Sequence, residues 1–247
     1  MATALDAPAL PLFTLGPVQE FIATARRTQD LWVGSFLLSY LTWQGMRVIA
    51  EQLGPDCVLF PSLYAQPLAD QWLHKTYQIT EQPAVESIAQ ASFPNRFLAL
   101  VPAAQAKALG EAARQAVMAE WCQLTQGVTS HIEGCLPESA LSADNTWNHL
   151  WQAHRDACFE TYWIAWPWGD DPHTIMQEYK HWLGITDETP FERVIDKFKQ
   201  RRASYVNPGT LYPWLYDLAE RALGSRKALS LSAWGSYYYA MLSPQGL

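Results

Sequence analysis

Gly169-Asp170-Asp171 places two adjacent carboxylates directly after an apolar run, an arrangement able to hold Mg²⁺ for phosphoryl chemistry. The residues that follow point elsewhere. Pro172-His173 leads into a helical pattern of Ile175, Met176 and Tyr179, so Asp170 or Asp171 is favoured as a turn residue and helix N-cap. A second candidate is Gly16-Pro17-Val18-Gln19, which ends one apolar run and opens a helical one, where free backbone N–H groups and the helix dipole receive anions. Pro17 removes one of those donors, and a tight structural turn accounts for Gly16 and Gln19 equally well. Ser35, behind Gly34, reads first as a helix cap. Arg26 and Arg27 lie on a predicted helix beside Asp30, where a local ion pair competes with contact to phosphate or RNA, and Arg96 carries the same ambiguity.

The elements that must position these groups follow from the spacing of apolar residues. Leu12–Leu15, Cys57–Phe60, Phe97–Val101 and Phe159–Trp166 read as four short buried strands, several of them closed by proline. Phe21, Ile22, Ala25, Trp32, Val33, Phe36, Leu37, Tyr40 and Leu41 recur at helical spacing, with an interruption expected over Asp30–Ser35 and the helix running on toward Gln52. Residues 63–95 read as mixed and loop-like. Ala104 to about Leu124 is Ala-rich, lacks Pro and places Leu109, Ala113, Val117 and Trp121 on one face, which predicts a second long helix. The order strand, helix, strand, strand, helix, strand is that of an α+β, ferredoxin-like βαββαβ domain over residues 1–170. Helical periods broken at Gly184 and Asn207-Pro208-Gly209 predict a smaller helical domain over 171–247.

Composition narrows the function classes. The 247 residues carry 49% hydrophobic residues and a net charge of −7, which suits a packed core and argues against a protein that coats nucleic acid over its whole surface. Charge is unevenly spread: Arg193, Lys197, Lys199, Arg201, Arg202, Arg221, Arg226 and Lys227 face only Asp196, Asp217 and Glu220, a basic stretch suited to a phosphate backbone, an acidic subunit or plain solvent. Trp32, Trp43, Trp72, Trp163 and Trp166 are expected in the core, since their spacing does not interleave them with cations. Cys57, Cys122, Cys135 and Cys158 form no CxxC pair and read as buried free thiols. The apolar leader lacks a basic segment and contains Pro8 and Pro11, and no run of 18 apolar residues occurs, so a soluble cytoplasmic protein without membrane contact is expected.

Four blocks together carry a resemblance. Phe13-Thr14-Leu15-Gly16-Pro17-Val18-Gln19-Glu20-Phe21-Ile22, followed by Ala25-Arg26-Arg27-Thr28-Gln29-Asp30-Leu31-Trp32-Val33-Gly34-Ser35, resembles the start of the first palm-like domain in the large subunit of Cmr-type (type III-B) CRISPR effector complexes. Pro61–Leu73, Pro94–Pro102 and Asn207–Pro213 are similar to later blocks of that subunit, in the same order. In that family the large subunit carries an HD nuclease domain, this palm, a zinc-binding insertion, a second palm whose GGDD loop makes cyclic oligoadenylate from ATP, and a closing helical domain.

The resemblance implies only part of that plan here. His74, His131, His149, His154, His173 and His181 include no His-Asp dyad, the zinc cysteines are missing, and Leu229–Leu247 no longer resembles the family, so a truncated, split or frame-shifted large subunit is the expectation. A palm GGDD lies in a hairpin with a second strand at once behind it, which Asp170 and Asp171 do not have. The implied function is that of a scaffold in an RNA-guided antiviral complex, with no catalytic or metal-binding residue of its own. Gly16, Gln19 and Ser35 would face ATP with Mg²⁺ at a site completed by a partner palm, and Arg26, Arg27, Arg201 and Arg202 would contact RNA or a subunit. The implied partners are the other Cmr subunits, above all the crRNA-tag-binding one, with crRNA and target RNA reached through the complex. Two further readings are a minimal nucleotidyl cyclase using Asp170 and Asp171, and a stand-alone RNA-binding module.

Overall fold

Pro8 and Pro11 do not keep the leader out of the sheet: the first strand, β1, runs over Pro8–Gly16, and the residues between its two ends are all buried. The computed structural model describes residues 7–79, 81–135, 146–168, 177 and 212–230. In chain order β1 is followed by α1 (Val18–Ala23), α2 (Thr28–Leu53), a 3₁₀ turn (Pro55–Cys57), β2 (Val58–Phe60), α3 (Pro67–Tyr77), α4 (Val85–Ile88), β3 (Arg96–Ala99), β4 (Val101–Pro102), α5 (Ala103–Cys135), α6 (Thr146–Ala157), β5 (Glu160–Pro167) and α7 (Tyr212–Ser230). The strands are ordered β2-β3-β1-β4, with β5 also paired to β1, and the β1–β4 and β2–β3 pairs are antiparallel. The fold is therefore α+β with an antiparallel sheet, as the residue pattern predicts.

Two compact units divide the chain. One comprises Phe13–Ala99 and Ala108–Tyr162. Its core is aromatic: Phe13 stacks on Phe97 with centroids 4.9 Å apart, and Trp43 stacks on Phe93 at 5.3 Å while meeting Trp72 edge-on at 5.8 Å. α2 buries Leu38, Leu41, Met46 and Ile49 here, and α5 buries Leu109, Ala113 and Val117. Gly45 allows the two helices to close, because a Cβ at that position would lie 3.2 Å from Val117 Cγ2 and 3.4 Å from Phe97 Cε1.

The other unit comprises Met1–Leu12, Leu100–Lys107 and Trp163–Leu247. Ala9 pairs with Val101 and Pro8 with Pro102, while Trp168 N–H donates to Pro8 O at 2.8 Å. α7 buries Leu215, Leu218, Ala219 and Leu223, an i, i+3, i+4, i+8 stripe. Arg226 lies over the Trp163 ring, 5.5 Å from its centroid, and its guanidinium also donates to the Trp163 carbonyl.

Several elements depart from expectation, each for a local reason. α2 is not interrupted over Asp30–Ser35 but begins at Thr28 and passes straight through Gly34. Asp30 starts the helix instead, its Oδ2 accepting the Arg27 N–H at 3.1 Å and the Arg26 N–H at 3.2 Å. Residues 63–95 are not loop alone: Pro67 is at the first turn of α3, which buries Leu68, Ala69 and Trp72 and stops at Gln78 in the left-handed region (φ 57°). α5 continues well beyond Leu124, to Cys135. α6 has no counterpart among the predicted elements. The third predicted strand is split into β3 and β4 at Leu100. Of the predicted helical stretch from Thr174 to Lys227, α7 covers the end and the rest lies outside the described residues.

Candidate functional site

β1 delivers Gly16 to the foot of α1, and the neighbouring strand fixes where that end lies. Leu15 N–H donates to Asn95 O at 2.8 Å, and Asn95 Nδ2 returns a bond to Leu15 O at 2.8 Å, so the two backbones are clamped just before the turn. Gly16 faces open space, since a Cβ added there would meet no heavy atom within 4 Å, and its φ is not left-handed; the turn does not require glycine on steric grounds. Pro17 is the N-cap of α1, and α1 is only six residues long, so it offers few donors to an anion. Gln19 is exposed on its first turn.

α1 is anchored by Phe21, whose ring meets Phe159 at 4.8 Å; Phe159 in turn meets Trp121 at 4.8 Å. Phe21 also touches α2, since Cε1 lies 3.4 Å from where a Gly34 side chain would begin. Gln19 and Ser35 are thus on two helices packed against each other. Ser35 is not a cap. It lies in the second turn of α2 and its hydroxyl donates to Leu31 O at 2.9 Å, because the capping role is already taken by Asp30.

Arg26 and Arg27 are not on a helix but in the turn between α1 and α2, both exposed. The Asp30 carboxylate is engaged by their backbone N–H groups, and neither guanidinium pairs with an acid among the described residues. Arg96 opens β3, half-buried. Trp43, Trp72, Trp163 and Trp166 are core residues as expected, but Trp32 is 52% exposed, one turn into α2. The other two arginines named from sequence, Arg201 and Arg202, lie outside the described residues, as do Asp170 and Asp171. Within the basic C-terminal stretch, Arg221 pairs with Asp217 at 2.9 Å and Arg226 is held by Trp163, so these two cations are used inside the fold.

The thiols do not match the expectation of uniform burial. Cys135 is exposed and the other three are half-buried. Burial pushes the Cys57 thiol up to about 11 and raises Cys158 as well, which keeps both protonated and unreactive at neutral pH. Among the described residues no group of three or more His, Cys, Asp or Glu could hold a metal ion, and no helix is long and apolar enough to cross a membrane.

Residues 10–126, from β1 through most of α5, match the family described as "CRISPR-associated protein Cmr2, N-terminal". This stretch belongs to the Cmr2 N-terminal family. Gly16, Gln19, Arg26, Arg27 and Ser35 all fall inside it, whereas Asp170, Asp171, Arg201 and Arg202 fall beyond. The "CRISPR system Cmr subunit Cmr2" of Pyrococcus furiosus is 25% identical over 240 residues, covering 92% of this chain and 25% of that protein. The Cmr2 subunit of Saccharolobus solfataricus is 44% identical over 54 residues, 22% of this chain and 5% of its own length. The chain thus spans a quarter or less of the Cmr2 relatives it matches. A chain in a cryo-EM structure of the type III-B Cmr-beta complex bound to cognate target RNA aligns with 83% of this chain and 24% of its own, at 16% identity and a TM-score of 0.38.

Proposed function

We propose that the chain is part of a type III-B CRISPR effector complex, serving there as a scaffold and as one wall of a composite ATP site. The observation that carries this reading is the Cmr2 N-terminal family match over residues 10–126. With β3 and β4 taken as one interrupted strand, the element order supports a palm-like, ferredoxin-like βαββαβ arrangement, and α7 is the support for a helical domain over 171–247. Its partners are the other Cmr subunits, the crRNA-tag-binding one foremost, with crRNA and target RNA reached through the assembly in the cytoplasm.

In this reading Gly16 leaves room at the strand end, and Gln19 and Ser35 meet the nucleotide. The Ser35 hydroxyl proton is committed to Leu31 O. What remains is an acceptor, suited to an exocyclic amino group of a base and unsuited to a phosphate. No described cluster of acids fits Mg²⁺, so no metal-dependent step is assigned to these residues. Metal and catalytic acids come with the partner that completes the site.

Mixing the full chain with the remaining Cmr subunits from the same source tests the proposal. Stable co-elution is expected, together with no ATP turnover by the chain alone in Mg²⁺ and no effect of Asp170→Ala. Failure to co-assemble overturns it. Turnover by the isolated chain that Asp170→Ala abolishes would replace it with a minimal nucleotidyl cyclase. RNA binding by the chain alone, with a steep negative salt slope, would replace it with an RNA-binding module built on Arg193–Lys227.

A further inference from the structure

Residues 28 to 33, the opening of α2, are all exposed. At about 100° per residue, six consecutive positions sweep more than one full turn, so the beginning of this helix is uncovered on every side. The last three residues of this exposed tip are apolar: Leu31 is 43% exposed, Trp32 52% and Val33 53%. Scattered exposed apolar residues are ordinary, but three in succession around one helix end form a surface that water covers poorly. Directly before the helix stand Arg26 and Arg27, exposed and without acidic partners among the described residues. Asp30, its carboxylate turned back onto the backbone N–H groups of the two arginines, offsets one of the two charges and leaves the tip net positive.

We infer that the start of α2 is a docking peg that inserts into an apolar groove rimmed by carboxylates on another protein chain. A large ring flanked by aliphatic side chains and arginines is the composition of an interface centre with a charged edge. Charge complementarity sets the partner's rim: two guanidiniums with no acidic partner among the described residues select Asp and Glu. RNA is the poorer occupant. A single-stranded RNA site uses cations and stacking rings, and here one ring is accompanied by Leu31 and Val33, which gain nothing from phosphates or bases. A symmetric contact with a second copy is poorer too, because it would bring like-charged Arg26 and Arg27 pairs into one interface.

The inference rests on the reading that this chain assembles with Cmr subunits, and it adds which surface does so and what that surface fits. The test uses the full chain and the remaining Cmr subunits of the same source, assembled without it. Affinity is measured for the wild type, Trp32→Ala, the pair Arg26→Glu with Arg27→Glu, and Val128→Ser, an exposed apolar position on α5 as control. Trp32→Ala weakens binding by about 30-fold, as for an anchor residue. The double charge reversal weakens it as well and flattens its salt dependence, while Val128→Ser binds like the wild type. Melting temperatures confirm that each variant folds, and the charge reversal, lying in an exposed turn, carries the test alone if Trp32→Ala does not.

If the wild type binds and both peg variants bind equally well, the peg is wrong and the Cmr reading stands. If the wild type binds no Cmr subunit, both fall. Loss of single-stranded RNA binding with subunit affinity intact overturns the inference in favour of a nucleic-acid surface. Self-association that Trp32→Ala abolishes, again with subunit affinity intact, overturns it in favour of a second copy.

Discussion

Ser39 Oγ accepts the backbone N–H of Phe93 at 2.7 Å. The same oxygen takes the Ser92 N–H at 3.1 Å, so one hydroxyl on α2 holds the segment that leads into β3. Ser39 is 1% exposed, and water does not replace it there. Ser39→Ala leaves two amide donors unsatisfied and is expected to destabilise the chain by about 2 kcal/mol, read as a lower urea midpoint with an unchanged slope. An unchanged midpoint would mean that the segment finds other acceptors.

Tyr40, the next residue, gives a pH signature. Its hydroxyl donates to Glu120 at 2.8 Å, tying α2 to α5. Burial first, then the bond to Glu120 and its charge, push the phenol from 10.0 up to about 12, against a smaller opposing pull from Arg47. The folded state thus holds its proton where the unfolded chain has released it. The contribution is full below about pH 10 and is lost as pH rises through about 12. Stability is expected to fall more steeply over that window in the wild type than in Tyr40→Phe. Burial also raises Tyr212, so the difference between the two curves is the readout, and parallel curves would refute the assignment.

Two glycines of α2 are expected to respond in opposite directions. At Gly45 a Cβ would lie 3.2 Å from Val117 Cγ2 and 3.5 Å from Ala113 O, so Gly45→Val overpacks the α2–α5 contact and is expected to destabilise by about 2 kcal/mol. At Gly34 the nearest atom is Phe21 Cε1 at 3.4 Å, an ordinary contact. Gly34→Ala then gains helix propensity, up to about 1 kcal/mol of stability. Thermal unfolding of both variants checks the pair, and a stabilising Gly45→Val would show that the helices have room to part.

These positions mark what was legible in the residues and what was not. The strands are legible because Leu12–Leu15 and Phe159–Trp166 are apolar runs bounded by Pro or Gly, although β1 begins before Leu12, at Pro8, and reaches Gly16. Gly34 suggests a break in α2 because glycine disfavours helix, yet the helix continues there, packed against Phe21. Tertiary contact overrides propensity at that point. α3 is hidden in a polar stretch whose signal is brief: Pro67 at the first turn and three buried residues, Leu68, Ala69 and Trp72. At the candidate site, Gly16, Gln19 and Ser35 are legible as a strand end and helix positions. The exposure of Trp32 is not, because its apolar spacing is the same as that of the buried Leu38 and Leu41 and only the folded chain shows where the covered part of the helix begins.

Asp30 determines where α2 starts. By accepting from Arg27 it satisfies the N-cap donor, by accepting from Arg26 it holds the residue just outside the helix, and as an anion in the first turn it also meets the positive end of the helix dipole. Asp30→Ala removes these effects and is expected to lower stability by about 1 kcal/mol. Asp30→Asn keeps an acceptor and loses the charge, so its loss should be smaller, by the few tenths of a kcal/mol that a surface dipole interaction contributes. The damage should also be local: amide exchange should quicken over residues 28–33 in Asp30→Ala and stay slow around Leu41 and Met46, which are buried in the core. Equal acceleration along the whole of α2 would mean that the cap sustains the entire helix rather than its first turns.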